Sequence, residues 1–177
     1  MLIPTRRLLT DGTPIDTLID RQRREVSMRT LHDREIYELE LQNIFAKTWL
    51  LLGHDTEIAN PGDYVVRHMG EDGVIVARDR NGEIHVSLNV CPHRGMRVAL
   101  GECGNAMAHR CIYHGWAFRP NGDFIGSPVE REQMHGEICA KAELGLRQAR
   151  VGVYGGLSFG TGDSEGPGFE DCVGDMK

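Results

Sequence analysis

Residues 89–116 read "NVCPHRGMRVALGECGNAMAHRCIYHGW". Cys91 and His93 flank one proline, Cys111 and His114 flank two residues, and seventeen residues separate His93 from Cys111. Each short pair contributes one thiol and one imidazole, and each is followed by a glycine, Gly95 or Gly115. Thiolate and imidazole are ligands for borderline and soft metals, and a glycine allows the backbone a tight turn close to whatever is held.

The rest of the chain bounds what such a site can belong to. With 177 residues it fits one domain plus extensions and can bury a substantial core without help from a metal. The formal net charge of −6 argues against a general nucleic-acid binder, which shows a basic balance. No wholly apolar run is longer than that from Trp49 to Leu52, which is far too short to span a bilayer. The start, "MLIPTRRLLTDGTP", lacks the apolar core and small-residue cleavage site of a signal peptide. A soluble cytoplasmic protein is the expectation. Its five cysteines, an odd number, then read as reduced thiols or metal ligands and not as a disulfide framework.

Outward from the quoted stretch the hydrophobic period is two. "EIHVSLNV" places Ile84, Val86, Leu88 and Val90 on one face and His85, Ser87 and Asn89 on the other. "DYVVRHM" and "GVIVARDR" are strands of the same kind, with Asn81-Gly82 as a hairpin turn and Pro120-Asn121-Gly122 as another. "LRQARVGVYGGLSFG" reads as two further strands about a glycine bend. The expectation is mainly β: a small antiparallel domain over residues 50–161, interrupted by the quoted stretch as two loops, with N-terminal helices. The extension, residues 1–49, is expected to hold a helix capped by Thr13 with Pro14 at its first position, and a second over 33–49 capped by Asp33. Tyr37, Leu41, Ile44, Phe45 and Trp49 recur at helical spacing as a buried stripe. Residues 162–177, glycine-rich and acidic, read as a linker.

Two cysteines and two histidines can hold a tetrahedral zinc ion. Zinc fingers usually group like ligands together, whereas here each loop offers one of each. That mixture suits a two-iron cluster in which one iron takes both cysteines and the other both histidines, the Rieske [2Fe–2S] arrangement. A zinc-stabilised structural module remains the alternative.

"CPHRG", the seventeen-residue spacing and "CIYHGW", together with the upstream "LELQNIFAKTWLLLGHDTEIANPGDYV", resemble the Rieske domain of aromatic-ring-hydroxylating dioxygenase large (alpha) subunits, over about residues 31–177. The resemblance implies that Cys91 and Cys111 bind one iron of the cluster, and His93 and His114 the other. It implies a parent enzyme, an NAD(P)H-dependent oxidoreductase that cis-dihydroxylates an aromatic ring. Electrons would arrive through a reductase, usually with a ferredoxin between, in a trimer-based oligomer without nucleic acid or membrane. Respiratory Rieske proteins differ: each of their loops carries an extra cysteine, joined as a disulfide, where this chain has Met96 and Tyr113. Their hydroxyl donors to sulfur are matched here by Trp116 and Phe118. Small Rieske ferredoxins lack the helical extension, and a free-standing electron carrier of that kind is the second alternative.

The family also carries a mononuclear non-haem iron held by two histidines and a carboxylate in a second, C-terminal domain. Glu132 and His135 lie three apart with no second histidine following, and His32, His54, His68, His85 and His109 are scattered singly, as surface or hydrogen-bonded residues. The expectation is an electron-transfer domain without its catalytic partner, either a piece of a longer chain or a stand-alone product. Arg94 is expected in a local ion pair or at a docking surface, and Trp116 as a cover for the cluster loop. Cys103, Cys139 and Cys172 read as free thiols.

Overall fold

The computed structural model describes residues 8–128 and 140–176. Glu132, His135 and Cys139 lie outside the described residues. The chain forms two compact units, Met1–Lys47 and Thr48–Lys177.

In the first unit a two-stranded antiparallel ribbon, β1 (Ile19–Asp20) and β2 (Glu25–Val26), pairs Ile19 with Val26. Helix α1 (Arg34–Glu40) starts at Asp33, whose carboxylate accepts the Glu35 N–H as expected of an N-cap. Leu9, Leu18 and Ile36 are buried together, with Ile15 and Leu39 against them. Two expectations fail here. After Pro14 the chain makes only a 3₁₀ turn, Ile15–Leu18, without a side-chain cap. The Thr13 hydroxyl accepts from Arg29 Nη1 at 3.0 Å instead. The stripe Tyr37–Leu41–Ile44 is not the buried face: Tyr37 is 42% and Ile44 48% exposed. The α-helix gives way to a wider π turn, Leu41–Phe45, and the contacts with Leu9 and Leu18 select Ile36 and Leu39.

The second unit is antiparallel β throughout. Strands β3 (Leu50–His54), β4 (Asp63–Met69), β5 (Asp72–Arg78), β6 (Ile84–Leu88), β7 (Cys103–Asn105), β8 (His109–Arg110), β9 (Ala117–Phe118), β10 (Phe124–Gly126), β11 (Arg150–Tyr154) and β12 (Leu157–Thr161) follow in order. They form a four-stranded sheet, β6-β5-β4-β7, and two three-stranded sheets, β11-β12-β3 and β10-β9-β8. Strand β5 is apolar on both faces because a core lies on each side. Ile75 and Ala77 join Cys91, Val98, Cys111, Trp116, Phe118 and Phe124, while Val74 and Val76 join Leu52, Ile58, Val65 and Val86. The expected polar face of β6 is therefore not solvated: Ser87 and Asn89 are 2% and 3% exposed.

The stretch read as a linker is also folded against this unit as far as it is described. It carries a short helix, α2 (Phe169–Val173), and Phe169 meets Trp49 and Phe159 with ring centroids 5.1 Å apart in each case. Arg150 donates to the carbonyls of Asp163 and Gly166. Trp49 belongs to this packing and not to the N-terminal helix, which ends before it. No helix among the described residues is long and apolar enough to cross a membrane.

Candidate metal centre

Two loops carry the site. The first leaves β6 and returns to β7; the second is the tip of the β8–β9 hairpin, where Arg110 pairs with Ala117. Both make the same turn. Cys91 N–H donates to the Met96 carbonyl at 2.8 Å and Gly95 N–H to the Cys91 carbonyl at 2.9 Å. In the second loop Cys111 N–H donates to Trp116 O at 2.8 Å and Gly115 N–H to Cys111 O at 2.9 Å. Gly95 and Gly115 share φ = 73°, in the left-handed region where a side chain is strained. The unequal sequence spacings thus hide one repeated backbone form, with the histidine two residues after the cysteine in one loop and three in the other.

This form sends the thiols inward and the imidazoles outward. Cys91 and Cys111 are 1% and 2% exposed, within the core that holds Trp116 and Phe118. His93 is half-buried and His114 exposed, their ring centroids 4.6 Å apart. Burial pushes the Cys91 thiol up to about 11; the adjacent Cys111 thiol adds to the rise, and the backbone N–H groups of His93 and Arg94 oppose it. A strong positive charge, such as a bound metal supplies, opposes that rise at Cys91 and favours its thiolate.

Tetrahedral zinc, with bonds of about 2.0–2.3 Å, holds its donor atoms roughly 3.3–3.8 Å apart. Among the described residues, Asp79, Glu83 and His85 bring donor atoms within 4.8 Å of one another. Two thiols on the inner side and two imidazoles on the outer fit a two-iron group. The Asp79 trio is explained by hairpin closure: Asp79 Oδ1 accepts the N–H groups of Asn81 and Glu83, and Oδ2 lies 3.3 Å from His85 Nε2.

Of the weaker expectations, Trp116 is 3% exposed and lies parallel to the His93 ring, 3° between planes and 4.9 Å between centroids. Arg94 is exposed, and no ion pair holds it among the described residues. Cys103 and Cys172 are exposed free thiols. His109 departs from expectation: it is 5% exposed, packed edge-on against Tyr64, and burial lowers its pKa. Sequence reasoning missed Asn89. Its buried amide accepts the N–H groups of Val98 and Ala99 and donates to the Ala99 carbonyl, tying the two ends of the first loop together. The only sequence signal was a polar residue two places before Cys91.

With this geometry in view, the chain belongs to the Rieske [2Fe–2S] domain family, which it matches over residues 48–147. Such a domain carries a [2Fe–2S] cluster with two histidine and two cysteine ligands and serves electron transfer. More particularly, its relatives are alpha subunits of ring-hydroxylating dioxygenases. It is 41% identical to the biphenyl 2,3-dioxygenase alpha subunit of Rhodococcus jostii (strain RHA1), over 92% of this chain and 35% of that protein. It is 42% identical to a benzene 1,2-dioxygenase alpha subunit of Pseudomonas putida, over 92% of this chain and 36% of the relative. Naphthalene 1,2-dioxygenase from Rhodococcus sp., solved with indole bound, superposes with a TM-score of 0.79 at 39% identity, covering 85% of this chain and 34% of that one. The chain thus spans about a third of the length of the relatives it matches.

Proposed function

We propose that this chain is the electron-transferring part of an aromatic-ring-hydroxylating dioxygenase alpha subunit, with Cys91 and Cys111 on one cluster iron and His93 and His114 on the other. The observation that carries the assignment is the repeated loop turn, which buries both thiols and sets both imidazoles outside them. The bound cluster supplies a centre that takes up and releases one electron. The residues around it do the rest. The apolar core about Cys91 and Cys111 keeps water from the sulfurs, the N–H groups of His93 and Arg94 aim at the Cys91 sulfur, and exposed His114 forms the edge nearest a partner.

The rim suits an acidic partner. Arg94 and Arg97 in the first loop and Arg110 at the base of the second are exposed, with the Arg110 guanidinium 3.8 Å from the Cβ position of Gly115. An acidic ferredoxin is steered to such a rim. In the parent enzyme NAD(P)H would feed a reductase and then the ferredoxin. The electron would pass from this domain, residues 50–161, to a mononuclear non-haem iron held outside these residues, for cis-dihydroxylation of an aromatic ring. A cytoplasmic, trimer-based assembly completes the proposal. The family match favours a cluster over a zinc module, and the relatives favour an oxygenase subunit over a free-standing carrier.

The test is to assay metal and acid-labile sulfide on the purified chain, then follow its reduction by an acidic ferredoxin across ionic strength. Two irons and two sulfides per chain are expected, with a second-order rate that falls as salt rises and falls again in Arg94→Glu. Zinc in place of iron would overturn the proposal. A rate indifferent to salt and to Arg94 would remove the docking surface.

A further inference from the structure

The two loops match in backbone form but not in what supports their histidines. The residue that closes the first loop is Met96, which packs half-buried against the core. The residue that closes the second is Trp116, whose indole does not support its own loop's His114. It crosses to the first loop and lies flat against His93, 3° from parallel. The indole is itself held: it is 3% exposed, with Phe124 at 4.8 Å and 52° and Phe118 at 6.4 Å and 45° between ring centroids and planes. His114 has a different neighbour, Tyr113, at 4.0 Å and 33°. That ring is 56% exposed and has room to move.

An imidazole bound to a metal through one nitrogen can still turn about the metal–nitrogen bond, and its plane decides how its π system overlaps the metal. We infer that Trp116 is a positioning residue that sets the plane of the His93 imidazole from the opposite loop. The pair of histidines is thereby held unequally, with His93 fixed by a buried stack and His114 left adjustable at the surface. The inference rests on the ligand reading proposed above and adds to it a role for a residue that touches neither iron. Offset or parallel stacking carries a preferred geometry as well as an energy, which is what a positioning role requires.

The experiment uses the cluster-loaded full chain, reduced, with histidine nitrogen-labelled, and reads the nitrogen hyperfine couplings of the two ligands. Trp116→Leu should shift and broaden one histidine coupling and leave the other in place, with iron and sulfide still at two per chain. Trp116→Phe, which keeps a ring, should lie closer to the native spectrum, and Tyr113→Leu should leave both couplings where they were. Where Trp116→Leu does not retain its cluster, Trp116→Met, which also lacks a ring, is read by the same criterion. Both couplings unchanged at full iron content, or both changed alike, would overturn the inference. A native spectrum with no histidine nitrogen coupling would instead overturn the ligand reading.

Discussion

Alanine at Gly95 and at Gly115 should have unequal costs, although the two positions share one backbone conformation. Both glycines have φ = 73° and both N–H groups donate to the cysteine carbonyl four residues back at 2.9 Å. A Cβ in the left-handed region costs roughly 1–2 kcal/mol. Loss of glycine's freedom in the unfolded chain returns about 0.4–1 kcal/mol. At Gly95 nothing lies within 4 Å of the added Cβ, so the balance of about 1 kcal/mol is the whole effect. At Gly115 the added Cβ would sit 2.7 Å from Pro128 Cγ and 3.0 Å from its Cδ. Those atoms belong to a rigid ring and must move by most of an ångström to reach ordinary contact. Overpacking typically costs about 1–3 kcal/mol, and the exposure of Pro128 places this case toward the low end. Gly115→Ala should therefore be destabilised by about 2–3 kcal/mol in all. The assay is thermal loss of the visible circular dichroism of the cluster-loaded chain, at roughly 2–4 °C per kcal/mol. A Gly95→Ala loss equal to or larger than that of Gly115→Ala would refute the role given to Pro128. No loss in either would refute the need for a left-handed residue in the loops.

Three further outcomes are expected. Cys91→Ser and His114→Ala should lose iron and sulfide, while Cys103→Ser, exposed on β7, should keep both; iron and sulfide assays decide, and loss from the Cys103 variant would overturn the ligand set. The midpoint potential should lie in the negative part of the Rieske range of about −150 to +300 mV. Buried Trp116 and Phe118 stand where other Rieske proteins place hydroxyl donors, and two missing bonds of about 1–2 kcal/mol each lower the potential by on the order of 100–170 mV; a clearly positive value in a redox titration contradicts this. In the first unit, hydrogen bonds from Arg29 at 2.7 and 2.9 Å hold the Asp33 carboxyl below its ordinary value, with burial opposing. A depressed carboxylate contributes stability that is present above its unfolded pKa, near 4, and is lost as pH falls through the lower folded one. Carbon-detected titration should thus place Asp33 below 3.8 and return it toward that value in Arg29→Met.

The parts of this protein that were legible in its residues are those whose physics is local. Cysteine and histidine spacing named the candidate donors, period-two alternation and Asn81-Gly82 named strands and a turn, and Asp33 marked a helix start, because each depends on neighbours a few residues away. Tertiary contacts decided the rest. The helix face at 34–45 was misread because Leu9 and Leu18 select Ile36 over Tyr37, a choice no periodicity contains. Ser87 and Asn89 look solvated in an alternating strand, yet a second core and the segment at Val98 and Ala99 enclose them. The acidic tail read as a linker because its composition is that of one, but Phe169 finds Trp49 and Phe159 in space. Most of all, the residues alone showed two unlike ligand pairs. Only the folded chain turns them into one repeated loop with buried sulfurs, because hydrogen bonds to the carbonyls of Met96 and Trp116 close both turns over the same core.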